Sequence, residues 1–187
     1  MLTEDYLIRR INQAIALLLH ALGLRKNGQL EAALTDIDIA LELLLGMRSV
    51  LLKEMDDHSL LQLLTVRGEL DLERLGLVAR LFKQEAEIYE IEDRQAESFR
   101  DHLRALNFAL ELALRDIGNL DSQQIGDIEE LRKWFSTHRL PLDTQAALLD
   151  YYQSLLEMDA DRLAAAGVAQ ADIRAELKKL VDAFNQY

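Results

Sequence analysis

Apolar residues recur three and four positions apart through most of the chain, which is the spacing of one face of an α-helix. The pattern predicts a first helix over residues 4–26 and a second over residues 29–45. Gly28 separates them and Gly46 follows the second, and glycine ends helices readily because it adopts the left-handed backbone conformation without steric penalty. Two long helices joined by so short a turn must lie antiparallel as neighbours.

The same period continues to the C-terminus. It predicts long helices over residues 71–91 and 94–117, a less regular stretch with two short helices over residues 48–70, and several shorter helices within residues 121–187. With one proline and eight glycines, the chain has too few turn-formers for the many turns of a β-sandwich. We therefore expect a single all-α domain over residues 1–187.

Alanine occupies several helix-facing positions in an otherwise leucine-rich first hairpin, at Ala21, Ala33 and Ala40. Side-chain size sets how closely two crossing helices approach, so small residues there indicate a close crossing flanked by leucines.

The segment "ALGLRKNGQLEAALTDIDIALEL" also resembles a tetratricopeptide repeat, a helix hairpin of about 34 residues. The small residues and the turn glycine of that repeat match Ala21, Gly28, Ala33 and Ala40. A second copy is similar through Ala86, Tyr89, Ser98 and Ala105, and it departs at the turn, where Asp93 replaces glycine.

The stretches "EDYLIRRI", "GELDLERLGLVARLFKQEAEIYE" and "LPLDTQAALLDYY" further resemble an uncharacterised bacterial family of tetratricopeptide-like proteins without assigned activity. The resemblance implies an array of antiparallel helix hairpins, an α-α superhelix. Its parts are a first hairpin over residues 14–47, an irregular insert over 48–70, a second hairpin over 79–118, and C-terminal helices over 121–187 that form a degenerate third unit and cap.

The formal net charge of −12 argues against nucleic acids and anionic membrane surfaces as partners, since both attract basic proteins. The first residues, "MLTEDYLIRR", lack the basic start of a secretory signal. The apolar run "AIALLLHALGL" is shorter than the roughly 20 residues that span a bilayer. These features predict an acidic cytoplasmic protein.

Motifs that carry chemistry are missing from the sequence. It has no glycine-rich phosphate loop, no HExxH motif and no cysteine, and no histidine follows a glutamate by three positions. We expect no catalytic site, no metal and no cofactor, and hence no enzyme.

His20 is interpreted as a hydrogen-bonded histidine, with a pH-sensitive contact as the alternative. The acidic run from Glu85 to Asp93 is interpreted as a solvated helix face, with a cation site as the alternative.

The first helix of each hairpin lines the concave side of such arrays, where peptides bind. The predicted partner-binding residues are Leu18, Leu22, Arg25, Arg80, Lys83 and Glu87. We therefore expect a non-catalytic module that binds a protein or peptide. One alternative is self-association, in which the apolar face of the first helix pairs with its copy in a homodimer. A less favoured alternative is an enzyme that uses a carboxylate-bound metal.

Overall fold

Helices dominate the structure, as the apolar periodicity predicts. The computed structural model describes the backbone of residues 2–184 and the side chains of residues 5–182. It is 81% helical and 2% strand. The prediction of an all-α protein is confirmed.

The order of elements follows the sequence pattern closely. In chain order they are α1 (Leu2–Lys26), α2 (Leu30–Leu45), α3 (Ser49–Glu54), α4 (Asp57–Leu63), β1 (Thr65–Val66), β2 (Glu69–Leu70), α5 (Leu72–Ile91), α6 (Gln95–Arg115), a 3-10 turn (Ile117–Asn119), α7 (Ser122–Trp134), a second 3-10 turn (Phe135–Thr137), α8 (Leu142–Leu156), α9 (Ala160–Ala165) and α10 (Gln170–Phe184).

Contacts divide the chain into two compact units, although no linker in the sequence indicates a boundary. Unit 1 ends at Phe108 and unit 2 begins at Ala109, so the division falls inside α6. A boundary inside a regular helix leaves no change of composition for sequence reasoning to detect.

In unit 1, α1, α2 and α5 all pack against one another. The alanines of the first hairpin lie in this packing: Ala33 and Ala40 are completely buried, and Ala21 is 1% exposed. Exposed alanine on the same hairpin, such as Ala32, faces away. The interpretation of the alanines as close-packing positions agrees with this burial.

The two long hairpins of unit 1 turn in the same way. Gly28 has a left-handed backbone with φ of 74°, and Asp93 takes the corresponding conformation with φ of 57°. In the first turn the amide of Gln29 donates to the carbonyl of Leu24 at 2.9 Å, and in the second the amide of Arg94 donates to the carbonyl of Tyr89 at 2.8 Å. Aspartate tolerates this conformation better than most residues.

Each matched position of the second hairpin lies 65 residues after its counterpart in the first hairpin. The small residues at matched positions are also buried to the same extent, because each side chain is exposed by 1% or less. They are the pairs Ala21 and Ala86, Ala33 and Ser98, and Ala40 and Ala105.

The region between the hairpins contains a feature that the helical pattern does not predict. Strands β1 and β2 form a short antiparallel pair in which Thr65 lies opposite Leu70 and Val66 opposite Glu69. Arg67 and Gly68 connect them with φ of 54° and 86°, the two positive values that a tight hairpin turn requires. Gly68 therefore closes a β-hairpin, in the stretch of residues 48–70 where the sequence predicts only two short helices.

In unit 2, α8 packs against α10 and α7 against α9. Asp121 begins α7 with a reciprocal cap: its carboxylate accepts from the amide of Gln124 at 2.7 Å, and the side chain of Gln124 accepts from the amide of Asp121 at 2.8 Å. Arg162 of α9 donates to the carbonyls of Gly118 and Leu120, each at 2.8 Å.

The completely buried Ala40 gives a test of the close helix crossing. Replacing it with leucine inserts three carbon atoms where no space exists, and we expect a loss of about 1–3 kcal/mol in the free energy of unfolding. Urea denaturation followed by circular dichroism measures this loss. The matched variant Ala32→Leu, at an exposed position of α2, should change the midpoint little; equal effects of the two would contradict the interpretation.

Candidate functional site

The six predicted partner-binding residues all belong to unit 1, on α1 and α5, but they do not form one open surface. Leu18 and Lys83 are buried, at 7% and 9% exposure. Arg25 and Glu87 form an ion pair with each other across α1 and α5. Leu22 and Arg80 are half-buried. The predicted groove therefore lacks Leu18 and Lys83, because both side chains point into the protein.

An apolar surface does exist on α1, around Leu22. Ile8, Ile15, Leu19 and Leu22 are spaced seven, four and three positions apart, so they share one face of the helix. We call these four residues the outer strip. Leu19 is 64% exposed and Ile8 is 53% exposed, while Ile15 and Leu22 are half-buried. This spacing is also the one by which apolar side chains form a seam between two helices.

The second hairpin carries polar side chains at the positions that correspond to the outer strip. The residues 65 positions further on are Glu73, Arg80, Gln84 and Glu87, all on α5. At Glu87 that face of α5 reaches α1 through the ion pair with Arg25, whereas Glu73 at its other end is exposed. The hairpin fold therefore does not require leucine or isoleucine there. The same face on α1 is more apolar and less covered.

Helix α1 is long and apolar enough, over Asp5–Lys26, to cross a membrane by length and composition, and only 22% of its most apolar 18-residue window is buried. The core helix of a soluble protein satisfies the same criteria. Arg9 and Arg10 place two positive charges in the first third of this helix. Arg10 donates to the carbonyl of Glu42 on α2 at 3.0 Å, which fixes α1 against its neighbour.

A buried charged cluster joins four elements of unit 1. The ammonium of Lys53 on α3 lies 2.5 Å from the carboxylate of Glu85 on α5 and 2.7 Å from that of Asp38 on α2. The hydroxyl of Tyr89 donates to Glu85 at 2.9 Å. Asp101 of α6 is fully buried near them. Burial of charge is costly, so each member depends on the others.

The cluster perturbs the protonation equilibria of its members. Burial lowers the pKa of Lys53, but the carboxylates of Glu85 and Asp38 raise it more, so its pKa is raised overall and the side chain stays cationic. Burial, and then repulsion from Asp101, raises the pKa of Glu85 against the opposing effect of Lys53. Burial and the neighbouring Glu85 raise the pKa of Tyr89 to about 12. At neutral pH the phenol therefore acts as a hydrogen-bond donor and not as a base.

Glu85 overturns part of the interpretation of the acidic run. Its side chain is completely buried, so it does not belong to a solvated face. Within the described residues, no group of three or more histidine and carboxylate side chains could hold a metal ion. His20, as expected, is hydrogen-bonded: its Nδ1 lies 2.5 Å from Asp36 on α2. The sequence offers no signal for the pairing of Lys53 with Glu85, because the partners are 32 residues apart in irregular context.

Unit 2 has its own buried carboxyl group. The hydroxyl of Tyr152 on α8 donates to Glu129 on α7 at 3.1 Å. The hydroxyl of Tyr151 lies near the same carboxylate and lowers its pKa, although the geometry is not that of a hydrogen bond. Burial raises the pKa of Glu129 to about 7, opposed by Tyr152 and reinforced by Glu176. The tyrosines are buried, in agreement with their interpretation as core residues.

No family model, no curated protein and no solved structure matches this chain. The resemblance to tetratricopeptide repeats therefore stays a prediction from the residues quoted above.

The charged cluster predicts the effect of removing its cation. Lys53→Met leaves the buried carboxylate of Glu85 and the half-buried carboxylate of Asp38 without their counter-ion, and we expect a loss of about 3 kcal/mol or more in the free energy of unfolding. Chemical denaturation measures it. Adding Glu85→Gln to Lys53→Met should recover part of the loss, whereas Lys133→Met, at an exposed lysine, should cost little. A double variant no more stable than the single one would contradict the pairing.

Glu129 predicts a pH dependence of stability. Its pKa is raised from 4.5 to about 7 in the folded protein, so the folded state binds the proton more tightly than the unfolded state. This stabilisation is complete below about pH 4.5 and is lost as the pH rises to about 7. Glu129→Gln should flatten that decline and stabilise the protein at neutral pH by up to about 3 kcal/mol.

The measurement is urea denaturation at several pH values between these limits, followed by tryptophan fluorescence. The exposed neighbour provides the control, since Glu130→Gln should retain the native pH profile. Parallel profiles for the native chain and Glu129→Gln would show that the carboxyl of Glu129 ionises normally.

Proposed function

We propose that this protein is a non-catalytic protein-binding module of tetratricopeptide-like hairpins, and that the outer strip of α1 is its docking surface. The observation that carries the proposal is the exposure of this apolar strip at positions where the second hairpin is polar. Exposed contiguous apolar surface on a soluble protein commonly marks an interaction site. Leu22 keeps its predicted role as a partner contact, and Arg80 keeps the role only as a flanking residue.

The occupant of the strip is a helix. On α5 the corresponding face contacts α1 at Glu87, so within this fold a neighbouring helix packs against part of that face. In a stacked array each hairpin buries its face against the next, and a terminal hairpin needs a cap. Ile8 and Leu19 are more than half exposed, so among the described residues the outer strip lacks such a neighbour.

A second copy of α1 fits this role. In an antiparallel pair of identical helices centred near Ile15, Leu22 of one copy lies near Ile8 of the other. Asp5 of one copy then lies near Lys26 of the other, and both residues are exposed. A two-fold axis repeats that opposite-charge contact at both ends of the helix pair. The protein therefore binds itself through α1, as the self-association alternative predicts.

Light scattering tests the proposal. At concentrations of about 10–100 μM we expect the native chain, of 21.4 kDa, to have twice its monomer mass. Leu19→Glu places a charge in the seam and should raise the Kd of the dimer by about 100-fold. The matched control is Val50→Glu, because Val50 is 66% exposed but lies outside the strip, on α3.

A charge exchange tests the antiparallel arrangement. Asp5→Lys and Lys26→Glu should each weaken the dimer, whereas the two substitutions together should restore it. A native chain that is monomeric at every concentration would remove the second copy as occupant. Flotation of the native chain with neutral vesicles, abolished by Leu19→Glu, would identify the strip as a membrane-binding surface and contradict protein docking.

A further inference from the structure

Unit 2 contains an open cavity of about 190 Å³, independent of the outer strip. The end of α7, the 3-10 turn after it, the start of α8 and the last turns of α10 enclose it. Its lining residues are Arg132, Phe135, Ser136, His138, Arg139, Leu140, Gln145, Lys179 and Leu180. The volume is below the roughly 300 Å³ at which pockets for drug-sized ligands begin, so only a small molecule fits.

The floor and the rim of the cavity differ in character. Phe135, Leu140 and Leu180 are buried and form an apolar floor. His138 and Lys179 are exposed at the rim. An apolar floor beneath a polar rim suits a ligand with a short carbon skeleton and a charged end.

The cavity is cationic, although the chain as a whole is strongly acidic. Arg132, Arg139 and Lys179 line it, and none of the lining residues in the described part of the chain is a carboxylate. The nearest acid by hydrogen bonding is Glu176, which accepts from Arg132 at 2.8 Å and from Lys179 at 2.5 Å. One carboxylate therefore serves two of the three cationic side chains of the lining.

Two buried polar atoms of the lining have no hydrogen-bond partner. The Nε2 of Gln145 donates to the carbonyl of Leu140 at 2.7 Å, which fixes the orientation of the amide. Its Oε1 is then a buried acceptor without a donor, on a side chain only 6% exposed. The Nε of Arg132 is a buried donor without an acceptor. Buried polar groups are usually paired, so each of these two atoms has the capacity for one hydrogen bond to a bound ligand.

We propose that this cavity binds a small organic anion that carries a carboxylate or phosphate group together with a hydroxyl or amino group. The oxyanion accepts from Arg132 and is stabilised by Arg139 and Lys179. The hydroxyl or amino group donates to Oε1 of Gln145. The carbon skeleton lies on Phe135, Leu140 and Leu180. This site does not depend on the proposed docking function of α1.

Trp134 provides the signal for a test. It is the single tryptophan of the chain, and its indole stacks on the imidazole of His138 with ring centroids 4.6 Å apart and planes inclined by 4°. His138 lines the cavity, so a ligand that displaces it changes the environment of the only tryptophan. Fluorescence titration of the full-length native chain therefore measures binding directly, and calorimetry provides a second readout.

Two pairs of probes separate the chemistry. L-malate and succinate differ by one hydroxyl group, and glycerol 3-phosphate and methyl phosphate compare a hydroxyl-bearing phosphate with one that lacks it. We expect saturable binding in at least one pair below about 10 mM, with the hydroxyl-bearing member tighter by about fivefold. Lys179→Gln should weaken that binding about fivefold, because it removes one cation from the rim.

The adjacent lysine gives the matched control. Lys178 is exposed on α10 but does not line the cavity, so Lys178→Gln should bind as the native chain does. Gln145→Met should abolish the preference for the hydroxyl-bearing probe, and circular dichroism checks that this buried variant folds. No saturable binding in either pair would overturn the proposal, as would equal weakening by Lys178→Gln and Lys179→Gln.

Discussion

The close approach of α1, α2 and α5 is the constraint on which unit 1 depends. It requires side chains no larger than alanine or serine at the helix crossings, and these positions are buried to 1% exposure or less in both hairpins. Two helices that approach so closely need a short connection, and the left-handed turns at Gly28 and Asp93 supply it. The outer strip lies on the face of α1 that this packing leaves exposed at Ile8 and Leu19.

Much of this architecture could be predicted from the sequence because it depends on local signals. The period of apolar residues gives the helices, and Gly28 and Gly46 give their ends, both with positive φ. The helix predicted over residues 71–91 begins at Asp71, whose carboxylate accepts from the amide of Arg74 at 3.1 Å. The prediction was wrong for β1 and β2, because the turn at Arg67-Gly68 competes with the helical periodicity on either side.

The sites were harder to predict, for a different reason. The spacing along α5 puts Glu85 on the face of Phe82 and Tyr89, but the residue that neutralises it, Lys53, lies 32 positions away in sequence. The same applies to Lys83, which the repeat alignment assigned to a surface and the structure places inside. The cavity of unit 2 brings together residues from α7, α8 and α10 whose cationic character is lost in the acidic average of the whole chain.

The segment between the two hairpins is more than a spacer. Arg104 of α6 donates to Asp57 at 3.0 Å and to the carbonyl of Met55 at 2.6 Å, while Lys53 neutralises Glu85. Repeat proteins usually grow and shrink by gaining or losing whole hairpins, since each repeat is interchangeable with the next. Here the second hairpin relies on charges that only this segment provides. The second hairpin is therefore not an independent unit: without residues 53–57 it would carry buried charged side chains that have no partners.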